Sequence, residues 1–438
     1  MTARAVASDP TPARRAAWQI LERVRRGATF EAALDQVLGS LEARDRRLAH
    51  ELAAGVLRRQ RELDGRLEPL IPNGLKSVKR ETLQILRLGA YQLTALDRVP
   101  AHAAVSTSVD LAREVSGKNA ARFVNAVLRR LHGGGAPAPA PPSDPIAALA
   151  HRYSHPTWLV TRWAGRYGMV GTTRLLEWNN QVPPLVLQAA REDLVHVRQR
   201  LTARGISADP APFEAGLIAG HARPGELPGY DEGAFQVQDA AQALVLRYAA
   251  LPVDAVVYDA CAAPGGKAIG LGRMVKMVVA ADRNRTRIKR MTRNFRRAGS
   301  GHEYPIAADA ASPPLRQVDA VLLDAPCLAT GTLARHPEAR WRIRPSALAT
   351  LARSQALLLD RLAPVVRPGG LLIYATCSLE PEENEEQTER FLNTHPDFHR
   401  EPGEAVPAEL LSPAGDLVIL PQRHGMDGAY ATRLRRAA

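Results

Sequence analysis

Three short apolar runs, each ending at a cysteine, constrain this chain more than any other feature. Val256-Val257-Tyr258-Asp259-Ala260-Cys261 continues into Ala262-Ala263-Pro264-Gly265-Gly266-Lys267. Val321-Leu322-Leu323-Asp324-Ala325-Pro326-Cys327 ends in an acid, a proline and a thiol. Leu371-Leu372-Ile373-Tyr374-Ala375-Thr376-Cys377-Ser378 is entered through the turn Arg367-Pro368-Gly369-Gly370. Apolar runs of this length, alternating with helical stretches such as Ser346 to Leu362, predict a parallel α/β sheet. Ligands of such sheets gather beyond the carboxyl ends of the strands. Cysteines placed there indicate a reaction centre rather than a scaffold. They are the only 3 in the chain, an odd number that suits reduced thiols better than a disulfide framework.

The remaining composition excludes more than it assigns. With 438 residues, 45% hydrophobic and 24% charged, the chain has room for two or three domains with cores of their own. No apolar run approaches the roughly 20 residues that span a bilayer. Met1 to Pro10 lacks the apolar core of a signal peptide, so a frayed tail on a cytoplasmic protein is expected. No His/Cys spacing suggests zinc, and no metal is expected. The 58 Lys+Arg exceed the acids to give a net charge of +13, which favours a polyanion, nucleic acid ahead of a membrane surface. An Arg- and Ala-rich composition also follows from genomic base composition, so charge alone does not decide the matter.

Residues 11–132 carry helical periodicity throughout. Thr11-Pro12 is an N-cap followed by proline at the first helical position. Ala17, Ile20, Leu21 and Val24 then share a face, and Gly27 supplies a stop. Phe30, Leu34, Val37, Leu38 and Leu41 follow, and Asp45 is the expected cap of a third helix bearing Leu48, Leu52 and Val56. Leu83, Leu86, Ala90 and Leu93 form a further stripe, as do Val105, Val109 and Leu111. Residues 133–142, Gly133-Gly134-Gly135 and an Ala-Pro repeat, read as a linker. Residues 143–230 form a mixed α+β segment in which Trp158 and Trp163 suit helix packing better than base stacking. His155 there is a structural residue. Residues 231–438, opening on Phe235-Gln236-Val237-Gln238-Asp239, hold the α/β domain.

The site chemistry begins at Cys261 to Lys267, where a strand turns into a helix. Paired glycines allow close approach to a ligand, and a helix N-terminus favours anionic groups. The stretch fits neither the P-loop nor the G-x-G-x-x-G pattern. Asp282, ending the apolar run Met277 to Ala281, is placed to hold a ribose hydroxyl pair. Asp309 can accept from an adenine amino group. These acids suggest a nucleoside-bearing cofactor with a charged tail. Cys327 and Cys377, at the ends of two strands, suit thiolate addition to carbon 6 of a pyrimidine, which makes carbon 5 nucleophilic. Position alone does not say which thiol attacks.

Two resemblances rest on these strings. Leu86-Arg87-Leu88-Gly89-Ala90-Tyr91-Gln92-Leu93, Arg98-Val99-Pro100-Ala101-His102-Ala103-Ala104-Val105 and Phe123-Val124-Asn125-Ala126-Val127-Leu128-Arg129-Arg130 resemble the NusB family of helical RNA-binding domains. Phe235 to Asp239, Cys261 to Lys267, Asp324-Ala325-Pro326-Cys327 and Tyr374-Ala375-Thr376-Cys377-Ser378 are similar, in order, to RNA cytosine-5 methyltransferases of the Nop2/Sun family. The second resemblance implies a Rossmann-like methyltransferase domain with a mostly parallel sheet. It implies S-adenosyl-L-methionine as cofactor, bound by Cys261, Ala262, Ala263, Pro264, Gly265, Gly266, Lys267, Asp282, Asp309 and Asp324. It also implies that Cys377 is the nucleophile, that Cys327 assists release, and that Asp324 belongs to the catalytic centre as well as the pocket. RNA is the implied partner, with 16S rRNA the expected substrate and a monomer the expected state. A tRNA substrate, or a non-catalytic RNA-binding factor, are the alternatives. Leu328 stands where the family usually has Ser or Gly.

Overall fold

The computed structural model describes residues 12–134, 142–220 and 223–438. The Thr11 cap, the tail before it and most of the Ala-Pro linker lie outside the described residues. The chain divides into two compact units, one reaching to Gln181 and including Leu333–Arg342, the other comprising Val182–Thr332 and Ile343–Ala438.

The first unit is helical. It holds α1 (Pro12–Arg25), α2 (Phe30–Val37), α3 (Ala43–Leu67), α4 (Arg80–Ala95), α5 (Ala101–His132), α6 (Pro145–Arg152) and α7 (Thr157–Asn180). The apolar stripes meet in one core that includes Ile20, Leu21, Leu52, Leu86 and Leu128. Helices α3 and α4 approach closely because Gly55 has no side chain; a Cβ there would lie 2.0 Å from the Tyr91 ring. Gly27, at φ 111°, follows the end of α1 as expected. Asp45 is not the cap of α3: Glu42 occupies that position, and Asp45 lies in the first turn, where a carboxylate favours the helix dipole. Trp163 is buried, and the buried His155 bonds the Tyr153 carbonyl through Nδ1 at 2.7 Å, both as structural residues.

This unit is completed by a piece of chain from far along the sequence. Within Leu333–Arg342, Arg340 is fully buried and donates to Asn180 Oδ1 at 2.7 Å and to the Asn179 carbonyl at 2.8 Å. Trp341 Nε1 donates to the Leu57 carbonyl at 2.8 Å, and Glu338 accepts from the Phe30 amide at 2.9 Å. A planar fork with several donors suits a cluster of carbonyl groups better than any other side chain.

The second unit has two sheets. The smaller is antiparallel in the order β2-β3-β1-β4, from β1 (Leu185–Ala189), β2 (Ala208–Pro210), β3 (Leu217–Ala219) and β4 (Phe235–Val237), with α8 (Leu194–Thr202) against it. The larger contains β5 (Val256–Asp259), β6 (Met277–Asp282), β7 (Glu303–Ala307), β8 (Val318–Asp324), β9 (Val366–Thr376), β10 (Phe398–Arg400), β11 (Leu417–Ile419) and β12 (Ala429–Arg436). Its order is β10-β12-β9-β8-β5-β6-β7, with β11 paired to β12. Strands β5 to β9 pair in parallel, and β12 runs antiparallel beside β9. The apolar runs seen in sequence are therefore central strands, covered on both faces. Helices α9 (Ala240–Ala249), α10 (Gly266–Gly272), α11 (Arg285–Ala298), Pro345–Leu362 and Glu385–Thr394 complete the domain.

Candidate active site

The strand order reverses at β5, which has β6 on one side and β8 on the other. A crevice beyond the carboxyl ends of the strands is expected at such a point. It is present as a cavity of about 590 Å³ whose wall includes Cys261, Asp282, Asp309, Asp324 and Cys327. These side chains come from the ends of β5, β6, β7 and β8.

The first turn of the site runs from Asp259 to α10. Gly265 takes a left-handed φ of 103°, and a Cβ there would lie 2.7 Å from the Phe295 ring. Only glycine suits that position. Lys267, on α10, donates through Nζ to Asp324 Oδ2 at 2.6 Å and also to Gln242. The lysine is largely buried, while a third of the Asp324 side chain remains exposed, so the carboxylate keeps an open side. Cys261 and Ala263 line the cavity, whereas Ala262, Pro264, Gly265, Gly266 and Lys267 are not on its wall. Of those residues, Lys267 orients Asp324.

The other acids are held by their own loops. Asp282 Oδ1 accepts from the Asn284 amide at 2.7 Å, and Asp309 Oδ1 from the Ala311 amide at 2.9 Å. Asp282 Oδ2 lies 3.9 Å from the Arg287 guanidinium, which also lines the cavity. Asp259 is fully buried; burial first, and the charge of Asp324 next, push its carboxyl up to about 7. Burial, then Asp259 and Asp324, push the Cys261 thiol up to about 12, which keeps it protonated at neutral pH. Cys261 is thus a wall residue whose surroundings disfavour the thiolate.

The parallel pairing of β8 with β9 brings the other two thiols together, with Cys327 Sγ 3.4 Å from Cys377 Sγ. The hydrogen bond to Cys377, then burial, push the Cys327 thiol well above its ordinary value. The loop between them is tight: the Gly331 amide donates to the Cys377 carbonyl at 3.0 Å, and a Cβ on Gly331 would lie 2.7 Å from Gly428 Cα. Leu328 is buried, and its amide donates to Glu383 Oε1 at 3.0 Å.

Sequence reasoning passed over Asp259, Gln242, Gln355 and Glu383. Asp259 had a signal, as an acid inside an apolar run. Glu383 lies in the acidic run Glu382-Glu383-Asn384-Glu385-Glu386, which has the look of a solvated turn. Among the described residues no group of His, Cys, Asp and Glu is able to hold a metal ion, and no helix is long and apolar enough to cross a membrane.

The cavity volume falls in the range of roughly 300–1,000 Å³ typical of small-molecule sites. Its three carboxylates offer acceptors for hydroxyl, amino and ammonium donors, the polar groups of S-adenosyl-L-methionine. A parallel sheet with an antiparallel strand beside β9, and this cavity at the reversal point, define a Rossmann-like methyltransferase. The particular kind follows from comparison. Residues 249–435 match the family model of the 16S rRNA methyltransferase RsmB/F, residues 11–132 the NusB family, and residues 155–222 the RsmF/B-like ferredoxin-like domain. The chain is 35% identical to the probable ribosomal RNA small subunit methyltransferase B of Synechocystis sp., covering 97% of this chain and 99% of that protein. It is 34% identical to the ribosomal RNA small subunit methyltransferase B of Vibrio cholerae, covering 95% of each. The crystal structure of PH0851 has the same fold, with a TM-score of 0.84 at 23% identity over 98% of this chain and 99% of that one. The chain belongs to the RsmB/F family of S-adenosyl-L-methionine-dependent RNA methyltransferases.

Proposed function

We propose that this enzyme methylates carbon 5 of a cytosine in 16S rRNA through a covalent bond between Cys377 and carbon 6 of the base. The observation that carries this reading is the 3.4 Å approach of Cys327 and Cys377 beside a cavity lined with carboxylates. Two thiols in direct contact are the arrangement that two successive roles require. Cys377, as thiolate, adds to carbon 6 and so raises electron density on carbon 5. S-adenosyl-L-methionine supplies the methyl group as an electrophile. The carbon 5 proton then passes to a water molecule, the bond from carbon 6 to sulfur breaks, and its electron pair returns to Cys377. Asp282 holds the ribose hydroxyls of the cofactor, Asp309 its adenine amino group, and Asp324, oriented by Lys267, faces the reacting end. The names of the relatives favour small-subunit rRNA over tRNA.

The test is methyl transfer from labelled S-adenosyl-L-methionine to purified rRNA and tRNA, followed by bisulfite mapping. One protected cytosine in 16S rRNA is the expected outcome. Label confined to tRNA would reassign the substrate, and label on a base other than cytosine would refute the chemistry.

A further inference from the structure

Beyond the last sheet bond of β8, from the Ala325 amide to the Ala375 carbonyl at 2.8 Å, the chain carrying Cys327 leaves the strand. Two buried side chains then take over. Glu383 accepts from the Leu328 amide on both carboxylate oxygens, at 3.0 and 3.2 Å. Gln355, on the helix Pro345–Leu362, donates through Nε2 to the Pro326 carbonyl at 2.9 Å and to Glu383 Oε1 at 3.0 Å. The residues on either side of Cys327 are thus gripped by two side chains that grip each other. Both are fully buried. The Glu383 carbonyl also accepts from Tyr374 OH, on the strand that leads to Cys377. Glu383 therefore ties the two cysteine-bearing segments into one frame.

A neutral amide at position 383 would offer the Leu328 amide the same kind of acceptor. A carboxyl group there costs more to bury, and no ion pair joins it among the described residues. An acid at this position is therefore in need of a reason, and the nearest chemistry is the thiol of Cys327. We propose that Glu383, bridged by Gln355, is the positioning residue that fixes Cys327 as a thiol facing Cys377 for the release step. This rests on the covalent reading above. In release the carbon 5 proton passes to a water molecule, and the electron pair of the bond to carbon 6 returns to Cys377 Sγ. The Cys327 S–H donates a hydrogen bond to that departing sulfur and keeps its own proton. A thiol suits this task and a thiolate does not, because two anionic sulfurs at this separation repel. Burial lifts the Glu383 carboxyl above its ordinary range, and Glu383 adds to the effects of Cys377 and burial that hold Cys327 high. The other titratable groups around the pair are Tyr374, Glu380 and, through Tyr374, Arg390.

The experiment follows attack and release separately in the full-length enzyme with 16S rRNA. Attack is read as the appearance of a covalent band on a denaturing gel, and release as its disappearance. Glu383→Ala is expected to slow release by at least about tenfold, the scale of one lost hydrogen bond to a charged group. Its attack rate and cofactor affinity should stay close to wild type. Gln355→Ala should act in the same direction with smaller effect. Glu383→Gln, which keeps the shape, should restore much of the release rate. Its high-pH limb should shift to lower pH, because a neutral amide no longer favours the Cys327 thiol. If Glu383→Ala does not fold, the other two variants decide. Unchanged release with an unchanged high-pH limb, or equal slowing of attack and release, overturns the proposal. Absence of a covalent band in the Cys327→Ala control would instead refute the covalent reading and this proposal with it.

Discussion

Cys327 Sγ lies 3.4 Å from Cys377 Sγ, although 50 residues separate them in sequence. The pairing makes their roles separable by substitution. Cys377→Ala should form neither adduct nor product, since nothing is left to bond carbon 6. Cys327→Ala should attack and methylate but stall before elimination, leaving enzyme joined to RNA as a slow band on a denaturing gel. A trapped band with the Cys377 variant alone would reverse the assignment.

The cofactor prediction concerns Asp282, which ends β6 and lines the cavity. Asp282→Ala should weaken S-adenosyl-L-methionine binding by about 1.5–3 kcal/mol, the range for hydrogen bonds to a charged group. Calorimetry on the folded variant measures this directly, and unchanged affinity would remove Asp282 from the cofactor's contacts.

Asp259 makes stability depend on pH. Its carboxyl rises from an ordinary 3.8 to about 7 in the folded protein. Between those values the native state binds a proton that the unfolded chain has released. The contribution is therefore fully present below 3.8 and is lost as pH rises through about 7, on the order of 4 kcal/mol in all. Asp259→Asn should raise the thermal midpoint relative to wild type most at about pH 8, by well under half as much at about pH 5, and little at about pH 4. Equal shifts at all these pH values would show that the carboxyl does not titrate in this window.

Arg340 holds Leu333–Arg342 within the helical unit through Asn179 and Asn180. Arg340→Ala leaves the buried Asn179 carbonyl and the half-buried Asn180 amide without this partner and should cost about 3 kcal/mol. Arg340→Lys should rescue little, because an ammonium does not reproduce the planar fork. Denaturant titration of the three proteins gives the comparison. The same contacts predict that deleting residues 1–132 destabilises more than RNA binding, since Trp341 and Glu338 lose their partners Leu57 and Phe30.

RNA affinity should fall steeply with salt, each neutralised phosphate adding about −0.7 to −0.9 to the log–log slope. The net charge of +13 and the acid-free, arginine-rich helix α11 motivate this expectation. A filter-binding series with 16S rRNA measures the slope, and a flat response would exclude phosphate contacts as the main source of affinity.

Much of this was legible along the chain because the signals are local. Apolar stripes such as Leu83, Leu86 and Ala90 mark the helices, and the motifs ending in Lys267, Cys327 and Cys377 mark the strand-to-loop junctions of β5, β8 and β9. Backbone preference and hydrophobic period act over a few residues, so they survive in the sequence alone. Which elements become neighbours does not. Only the sheet order sets β8 beside β9 and brings the two thiols into contact. Only tertiary closure places Leu333–Arg342 with the helical unit, although that segment lies between Cys327 and the helix Pro345–Leu362. The acidic turn after Cys377 shows the limit most clearly. Glu380 and Glu383 are buried while Glu386 is exposed, and nothing in their composition separates them. Burial is a property of what closes over a residue, and here Leu328 and Gln355 close over Glu383 from distant parts of the chain.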